Sequence, residues 1–248
     1  MGFLDIFKSS KTEQVTVDFS NVGVDMHSHL IPGIDDGSKS VEDSIEMVRA
    51  LINLGFQKIV TTPHIMSDYY KNTPDIILQG RDQLREALLK NNINIPFEAA
   101  AEYYYDEHFV EILQTQKLLT IANQYLLFEL SYLTKPAGIR EIIFEMQMKG
   151  YKPLLAHPER YSFLTMNEYE EYKQAGCLFQ LNILSLTGHY GSQAKQTAEQ
   201  LIENNLINFV ATDLHHMQHI QLIHRNAMHA EKLFELISYH DLMNKTLL

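Results

Sequence analysis

Seven short apolar runs recur along this chain, and each halts at or just before a side chain able to bind a metal ion or a phosphate. Residues 22–26 precede His27 and His29, residues 58–62 precede His64, residues 97–101 precede Glu102, and residues 126–128 precede Glu129. The remaining three are residues 153–156 before His157, 178–181 before Asn182, and 208–212 before Asp213 and His215. Between the runs lie segments of helical period. Ser40-Val41-Glu42-Asp43 has the capping-box pattern ahead of Ile45, Val48, Leu51 and Ile52, and Gly55 closes that helix. Thr73-Pro74 puts proline at a helix's first position, and Pro136 opens another that turns Ile139, Ile142, Ile143 and Met146 inward. Further helices are expected over about 167–175, 191–204 and 218–239. Strand and helix alternate throughout, which predicts an α/β fold with a parallel sheet. In barrels of that kind the carboxyl ends of neighbouring strands converge, so six of the seven strand ends would aim a His, Asp or Glu at one point.

A chain of 248 residues suits one barrel-sized domain, read here as residues 22–248 behind an amino-terminal extension, 1–21. Its net charge of -11 argues against nonspecific nucleic-acid binding and against an anionic membrane surface. A phosphate ester would be repelled as well, unless metal ions invert the local field. The one cysteine, Cys177, excludes an internal disulfide framework and agrees with a reducing cytoplasm. No run approaches the ~20 apolar residues needed to span a bilayer. The first eight residues carry Asp5 where a signal peptide would be apolar, so secretion is not expected. They read as a frayed terminus, with an amphipathic hook as the alternative.

His27-Ser28-His29 places two imidazoles at i and i+2, on one face of an extended strand, where both can reach one ion. Asp35-Asp36-Gly37 follows. Asp35 reads as an ordinary acidic turn residue, whereas Asp36 is a ligand candidate. Thr62-Pro63-His64 stiffens the approach of the next imidazole, and Glu102 comes after three alanines. Glu129 lies in an almost wholly apolar run, and a carboxylate is costly to bury there unless it is paired or metal-bound. His157-Pro158-Glu159-Arg160 and Asp213-Leu214-His215 complete the set. Together these residues predict a multinuclear metal centre. Imidazole and carboxylate donors without a thiolate suit Mn, Fe, Zn or Co. Divalent ions held together would bind phosphoryl oxygens and acidify a water for in-line attack. Arg160 would add a forked donor for the phosphate, or else pair with Glu159 or another acid.

In this order, H-S-H, D-D-G, T-P-H, A-E, F-E, A-H-P-E-R-Y and T-D-x-H resemble the polymerase and histidinol phosphatase (PHP) superfamily, from about Val22 to the final helix. More narrowly they resemble its bacterial protein-tyrosine phosphatases of capsule and exopolysaccharide gene clusters. The resemblance implies a distorted (β/α)7 barrel, a PHP-type TIM-like fold, with two or three divalent ions, most often Mn. It also implies a metal-bound hydroxide as nucleophile and, as substrate, the tyrosine-rich tail of a membrane-bound bacterial tyrosine kinase. His27, His29, Glu102 and Asp213 would hold one ion, Glu102 would bridge to a second held by Glu129 and His157, and Asp36, His64 and His215 would hold a third. Arg160 would bind the phosphate, making Arg160, His157 and Asp213 the catalytic set. Relatives usually place a second arginine soon after D-x-H, where this chain reads His216-Met217-Gln218-His219-Ile220. Arg225 is out of register, so His216, His219 or Arg225 takes that role or the role is missing.

Cysteine-based phosphatase chemistry is excluded, because an arginine should stand six residues beyond the nucleophile and Ile183 stands there. Cys177 therefore reads as core. Tyr103, Tyr104 and Tyr105 follow Glu102 and read either as an aromatic rim for a phosphotyrosine ring, with Tyr104 in contact, or as a half-buried strand extension. The readings in play are a metal-dependent tyrosine phosphatase acting in the cytoplasm, a small-molecule phosphomonoesterase of the histidinol-phosphatase type, and a noncatalytic regulator. An oligomer is open.

Overall fold

The computed structural model describes residues 17–226, 238 and 241–248. The amino-terminal hook or frayed start, and most of the expected final helix beyond residue 226, lie outside the described residues. In chain order the elements are β1 (Val24–Asp25), α1 (Val41–Asn53), β2 (Lys58–Thr61), β3 (His64–Ile65), α2 (Pro74–Lys90), β4 (Phe97–Ala99), β5 (Glu102–Tyr104) and α3 (Glu107–Thr115). They continue with β6 (Tyr125–Glu129), α4 (Ile139–Met148), β7 (Lys152–Ala156), α5 (Met166–Gln174), β8 (Leu178–Asn182), α6 (Ser192–Glu203), β9 (Phe209–Ala211) and α7 (Met217–Asn226). Every ladder between these strands is parallel. Three strands order as β1-β2-β4 and six as β3-β5-β6-β7-β8-β9.

The second and third apolar runs each pass from the smaller sheet into the larger one. Pro63, which has no N–H to donate, separates β2 from β3 and interrupts the ladder there. The chain nonetheless stays extended, with Ala100 N–H donating to Thr61 O at 2.9 Å and Glu102 N–H to Pro63 O at 3.1 Å. Taking β2–β3 and β4–β5 as one position each gives seven strand positions. A parallel bridge between Ser28 and Leu214 joins the first position to the last. His29 N–H donates to Leu214 O and Asp213 N–H to His27 O, both at 2.9 Å. The result is the distorted (β/α)7 barrel that the family resemblance implies.

Period-two alternation sorts the strand side chains. Tyr125, Leu127, Leu154, Ala156, Phe209 and Ala211 fill the barrel interior, while Leu126, Phe128, Leu155 and Val210 face the helices. The helix starts follow their caps. Ser40 Oγ accepts from Asp43 N–H at 3.1 Å and Thr73 Oγ1 from Ile76 N–H at 3.3 Å. Two helical expectations need correction. Pro136 stands in the turn before α4, which begins at Ile139 behind Gly138 at φ +75°. Helix α3 was not expected at all; it is capped by Asp106 and buries Phe109, Ile112 and Leu113. Val17 and Phe19, assigned from sequence to the extension, are buried, with Phe19 stacked on Phe56 at 5.2 Å. No helix among the described residues is long and apolar enough to cross a membrane.

A 3-10 turn at Met243–Leu247 closes the amino-terminal end of the barrel. Fully buried Asn244 donates through Nδ2 to Val24 O (2.9 Å) and Val210 O (2.7 Å), and its Oδ1 accepts from Val210 N–H (3.1 Å). One amide thus stitches β1 to β9 where they do not pair directly. Replacing Asn244 with Ala would leave buried backbone groups unsatisfied, at about 1–3 kcal/mol for such a group. Urea unfolding in chelator should show Asn244→Ala destabilised by about 3 kcal/mol; a change below about 0.5 kcal/mol would mean that water replaces the amide.

Candidate metal centre

The carboxyl ends of the strands bring together every metal-ligand candidate read from the sequence. Four overlapping groups have their donor atoms within 4.8 Å of one another: His29, Asp36, His64 and His215; His27, His29 and Asp213; His27, Glu102 and His157; and His64, Glu102 and Glu129. Their union is the predicted set of nine, with no member left out. The grouping differs from the one implied by resemblance: His29 joins Asp36, His64 and His215, and Glu102 stands with His27 and His157 and again with His64 and Glu129. Glu129 stands with His64 (Oε1 to Nδ1, 3.2 Å) and His157 with Glu102 (Nε2 to Oε1, 3.0 Å), so these two flank Glu102 from different sides.

Backbone geometry and buried partners aim the rings. His157 and Asp213 adopt positive φ, +33° and +50°, at strand ends where the chain must turn sharply to present them. His27 Nδ1–H donates to Gln180 Oε1 at 2.7 Å and His29 Nδ1–H to Asp35 Oδ2 at 2.8 Å. His215 Nδ1–H donates to the main-chain carbonyl of Asp213 at 2.8 Å. Each bond fixes the tautomer that leaves an Nε2 lone pair free for a cation.

The spaces between donors fit a divalent ion. His27 Nε2, His29 Nε2 and Asp213 Oδ1 stand 3.3, 3.4 and 3.4 Å from one another. A point just off the centre of a triangle with such edges lies about 2.0 Å from each corner, the length of a bond from zinc to imidazole or carboxylate. Glu102 Oε2 and His64 Nδ1, though 3.1 Å apart, are buried without a hydrogen-bond partner. Fully buried polar atoms that crowd one point without bonding each other are oriented toward something else that belongs there. Charge agrees with geometry. Burial would lower the His64 pKa, yet Glu102 and Glu129 push it up to about 9. Burial would raise that of Glu102, yet His27 and His64 hold it well below the usual carboxylate range. The pocket attracts positive charge, as protons or as cations.

Seven of the nine donors, all but His27 and His29, line a cavity of about 610 Å³ together with Arg160, Tyr104, Tyr132 and Tyr190. Arg160 ignores Glu159, which is buried and accepts from Asn182 N–H (3.0 Å) and Ser185 Oγ–H (2.6 Å). Its Nη1 donates instead to Asp213 Oδ2 at 3.1 Å. The three tyrosines after Glu102 divide: Tyr103 is core, Tyr104 lines the cavity, and Tyr105 donates to Ala137 O at 2.9 Å. Of the residues offered for the missing arginine, His216 is exposed at the cavity rim and His219 is buried in its wall. Arg225 is exposed and does not line the cavity. Cys177 is buried core, and that burial pushes its thiol up to about 12.

Sequence reasoning missed the residues that hold the donors in place. Asp35 is a turn residue, accepting from Gly37 N–H at 3.0 Å, but it also orients His29. Gln180 orients His27, and Asn182 Nδ2–H donates to Asp213 Oδ2 at 2.8 Å. The inward parity of β8 was the available signal: Gln180 and Asn182 are polar residues two apart in a buried strand.

Residues 23–232 match the family model described as capsular polysaccharide synthesis, CpsB/CapC. The chain is 34% identical over 198 residues to the tyrosine-protein phosphatase YwqE of Bacillus subtilis (strain 168), covering 79% of this chain and 78% of that one. To the tyrosine-protein phosphatase CpsB of Streptococcus agalactiae it is 30% identical over 203 residues, 78% of this chain and 83% of the relative. A chain from the crystal structures of YwqE from Bacillus subtilis and CpsB from Streptococcus pneumoniae, described as unique metal-dependent tyrosine phosphatases, superposes with a TM-score of 0.77 at 30% identity and 90% coverage of both. The lactonase Lmo2620 of Listeria monocytogenes, at 10% identity and a TM-score of 0.53 over 93% of this chain and 92% of its own, shares the fold alone. With its barrel and its converging donors intact, the chain belongs to the CpsB/CapC family of capsular polysaccharide synthesis proteins.

Proposed function

We propose that this protein is a metal-dependent protein-tyrosine phosphatase. The observation that carries the reading is the juxtaposition, in one cavity, of a cation-seeking donor cluster and an arginine with an unused edge. Among the described residues the Arg160 guanidinium makes one hydrogen bond, to Asp213, so most of its five donors remain for a phosphoryl group. Bound divalent ions, with Mn first in our reading, would supply positive charge at the phosphoryl oxygens and an acidified water. His27, His29, Glu102 and Asp213 would hold one ion, with Glu129, His157, His64, Asp36 and His215 completing the centre. Arg160 would grip two phosphoryl oxygens and keep the phosphorus over the donors, and Tyr104 would meet the phenyl ring. A phenolate leaves readily, so little is asked of a general acid.

The mouth favours a protein-borne ester over a small one. Leu133 on the rim is 92% exposed, and Asp36 and His216 are exposed too, so no loop among the described residues covers the donors. A phosphate on a flexible segment can enter such a mouth, whereas a small ester needs enclosure to bind well. The tyrosine-rich tail of a membrane-bound kinase in capsule or exopolysaccharide export is the substrate we propose, met in the cytoplasm.

The test compares phosphate release from a tyrosine-phosphorylated peptide and from histidinol phosphate, each with manganese and with chelator. We expect kcat/KM at least about 100-fold higher on the peptide and no turnover in chelator. Preference for histidinol phosphate, or turnover that survives chelation, would overturn the assignment.

A further inference from the structure

The guanidinium of Arg160 lies over two aromatic rings. Its central carbon is 4.5 Å from the ring centroid of Tyr132 and 4.2 Å from that of Tyr190. Stacking on tyrosine fixes the plane of a guanidinium and so the directions of its donors. Tyr132 is itself backed by Tyr161, ring centroids 5.6 Å apart and planes 23° from parallel.

The hydroxyl of Tyr132 differs from its neighbours. Tyr161 Oη accepts from Leu130 N–H at 2.9 Å, Tyr169 Oη–H donates to Pro158 O at 2.7 Å, and Tyr105 Oη–H to Ala137 O at 2.9 Å. Tyr132 Oη has long contacts only: 3.5 Å to Glu129 Oε2 and 3.4 Å to both ring nitrogens of His157. A point equidistant from the two nitrogens lies along neither lone pair, so neither is a proper acceptor. A phenolic donor on the cavity wall, beside the metal donors and against the arginine, therefore has its proton available for an incoming oxygen.

We propose that Tyr132 is a substrate-contacting residue, its hydroxyl donating to an oxygen of the bound phosphoryl group while its ring holds Arg160 in plane. The proton stays on Tyr132, and no bond is made or broken by it. This inference rests on the phosphatase reading for the identity of the anion. It has two separable parts, because Tyr132→Phe keeps the ring and removes the donor, whereas Tyr132→Leu removes both.

The probe is inorganic phosphate, titrated by calorimetry into protein supplied with manganese, with metal content measured on the same samples. A hydrogen bond to a charged group is worth about 1.5–3 kcal/mol, so Tyr132→Phe should weaken phosphate at least about tenfold with metal content unchanged. Tyr132→Leu should weaken it further, by about another fivefold. In an Arg160→Met background that extra loss should vanish, since the ring then has no guanidinium to hold. Equal phosphate affinity in wild type and Tyr132→Phe overturns the proposal. So does loss of metal from Tyr132→Phe, which would make the hydroxyl a support for His157 or Glu129, and so does failure of the wild type to bind phosphate. Turnover of the phosphopeptide is scored separately. Phosphate binding with the expected pattern but without turnover would sink the phosphatase reading and leave Tyr132 as an anion contact.

Discussion

Glu102→Gln should cost the protein both its metal and its activity. Glu102 has no exposed surface, and its two oxygens touch four imidazoles: Oε2 lies 3.1 Å from His27 Nε2, 3.4 Å from His29 Nε2 and 3.1 Å from His64 Nδ1, and Oε1 lies 3.0 Å from His157 Nε2. Two of the four donor groups run through it. An amide has the same shape but no charge, and one of its ends becomes a donor facing nitrogens that should face a cation. Lewis-acid stabilisation contributes several kcal/mol to such reactions, and each ~1.4 kcal/mol is tenfold in rate. We therefore expect kcat on a phosphotyrosine peptide to fall by about 10³-fold or more, together with the bound manganese found by elemental analysis. A thermal shift supplies an independent readout. Metal binds the native state and raises wild-type Tm by mass action, and this rise should be absent in Glu102→Gln, while the two proteins melt within a few degrees of each other in chelator. A variant that kept full metal and a tenth of the activity would show that Glu102 is not needed to hold the ions.

The centre was legible in the sequence because topology places it. When apolar runs of strand length alternate with helices, their carboxyl ends meet, and a His, Asp or Glu just past each run needs no long-range contact to be located. That is why Glu129, 86 residues from His215 along the chain, could be assigned to the same candidate centre. The supporting layer is different in kind. Gln180 serves His27 from 153 residues away, and Asn182 serves Asp213 from 31. Their roles depend on which way β8 faces, a one-residue question of parity that an almost wholly buried strand does not advertise. Asp35 was misjudged for a related reason: its local duty in the turn is real and hides its reach to His29. Helix α3 escaped because its nine residues offer little more than two turns of periodicity directly after a strand. The split of the second and third runs between two sheets was foreshadowed by Pro63, whose missing N–H is visible in the sequence although the sheet switch is not.

Arg160→Lys should separate substrate binding from metal binding. The guanidinium spends one nitrogen on Asp213 and lies over the rings of Tyr132 and Tyr190, and its remaining side-chain donors make no hydrogen bond among the described residues. Lysine keeps the charge but has no plane to stack and no fork to span two oxygens. Asp213 loses little by the exchange. Although burial opposes its charge, His215 and His27 hold its carboxyl well below the usual range, and Asn182 still donates to Oδ2 at 2.8 Å. Metal content should therefore stay at the wild-type level. Losing one to two charge-assisted hydrogen bonds to phosphate, at about 1.5–3 kcal/mol each, predicts kcat/KM on the phosphopeptide lower by about 10²–10³-fold. Arg160→Met, which removes the charge as well, should fall lower still. If bonding is tighter in the transition state than in the ground state, most of the loss will appear in kcat; equal binding in both would place it in KM. Loss of manganese from Arg160→Lys would give a different picture, in which the arginine acts by holding Asp213 against the metal and the phosphate is gripped elsewhere.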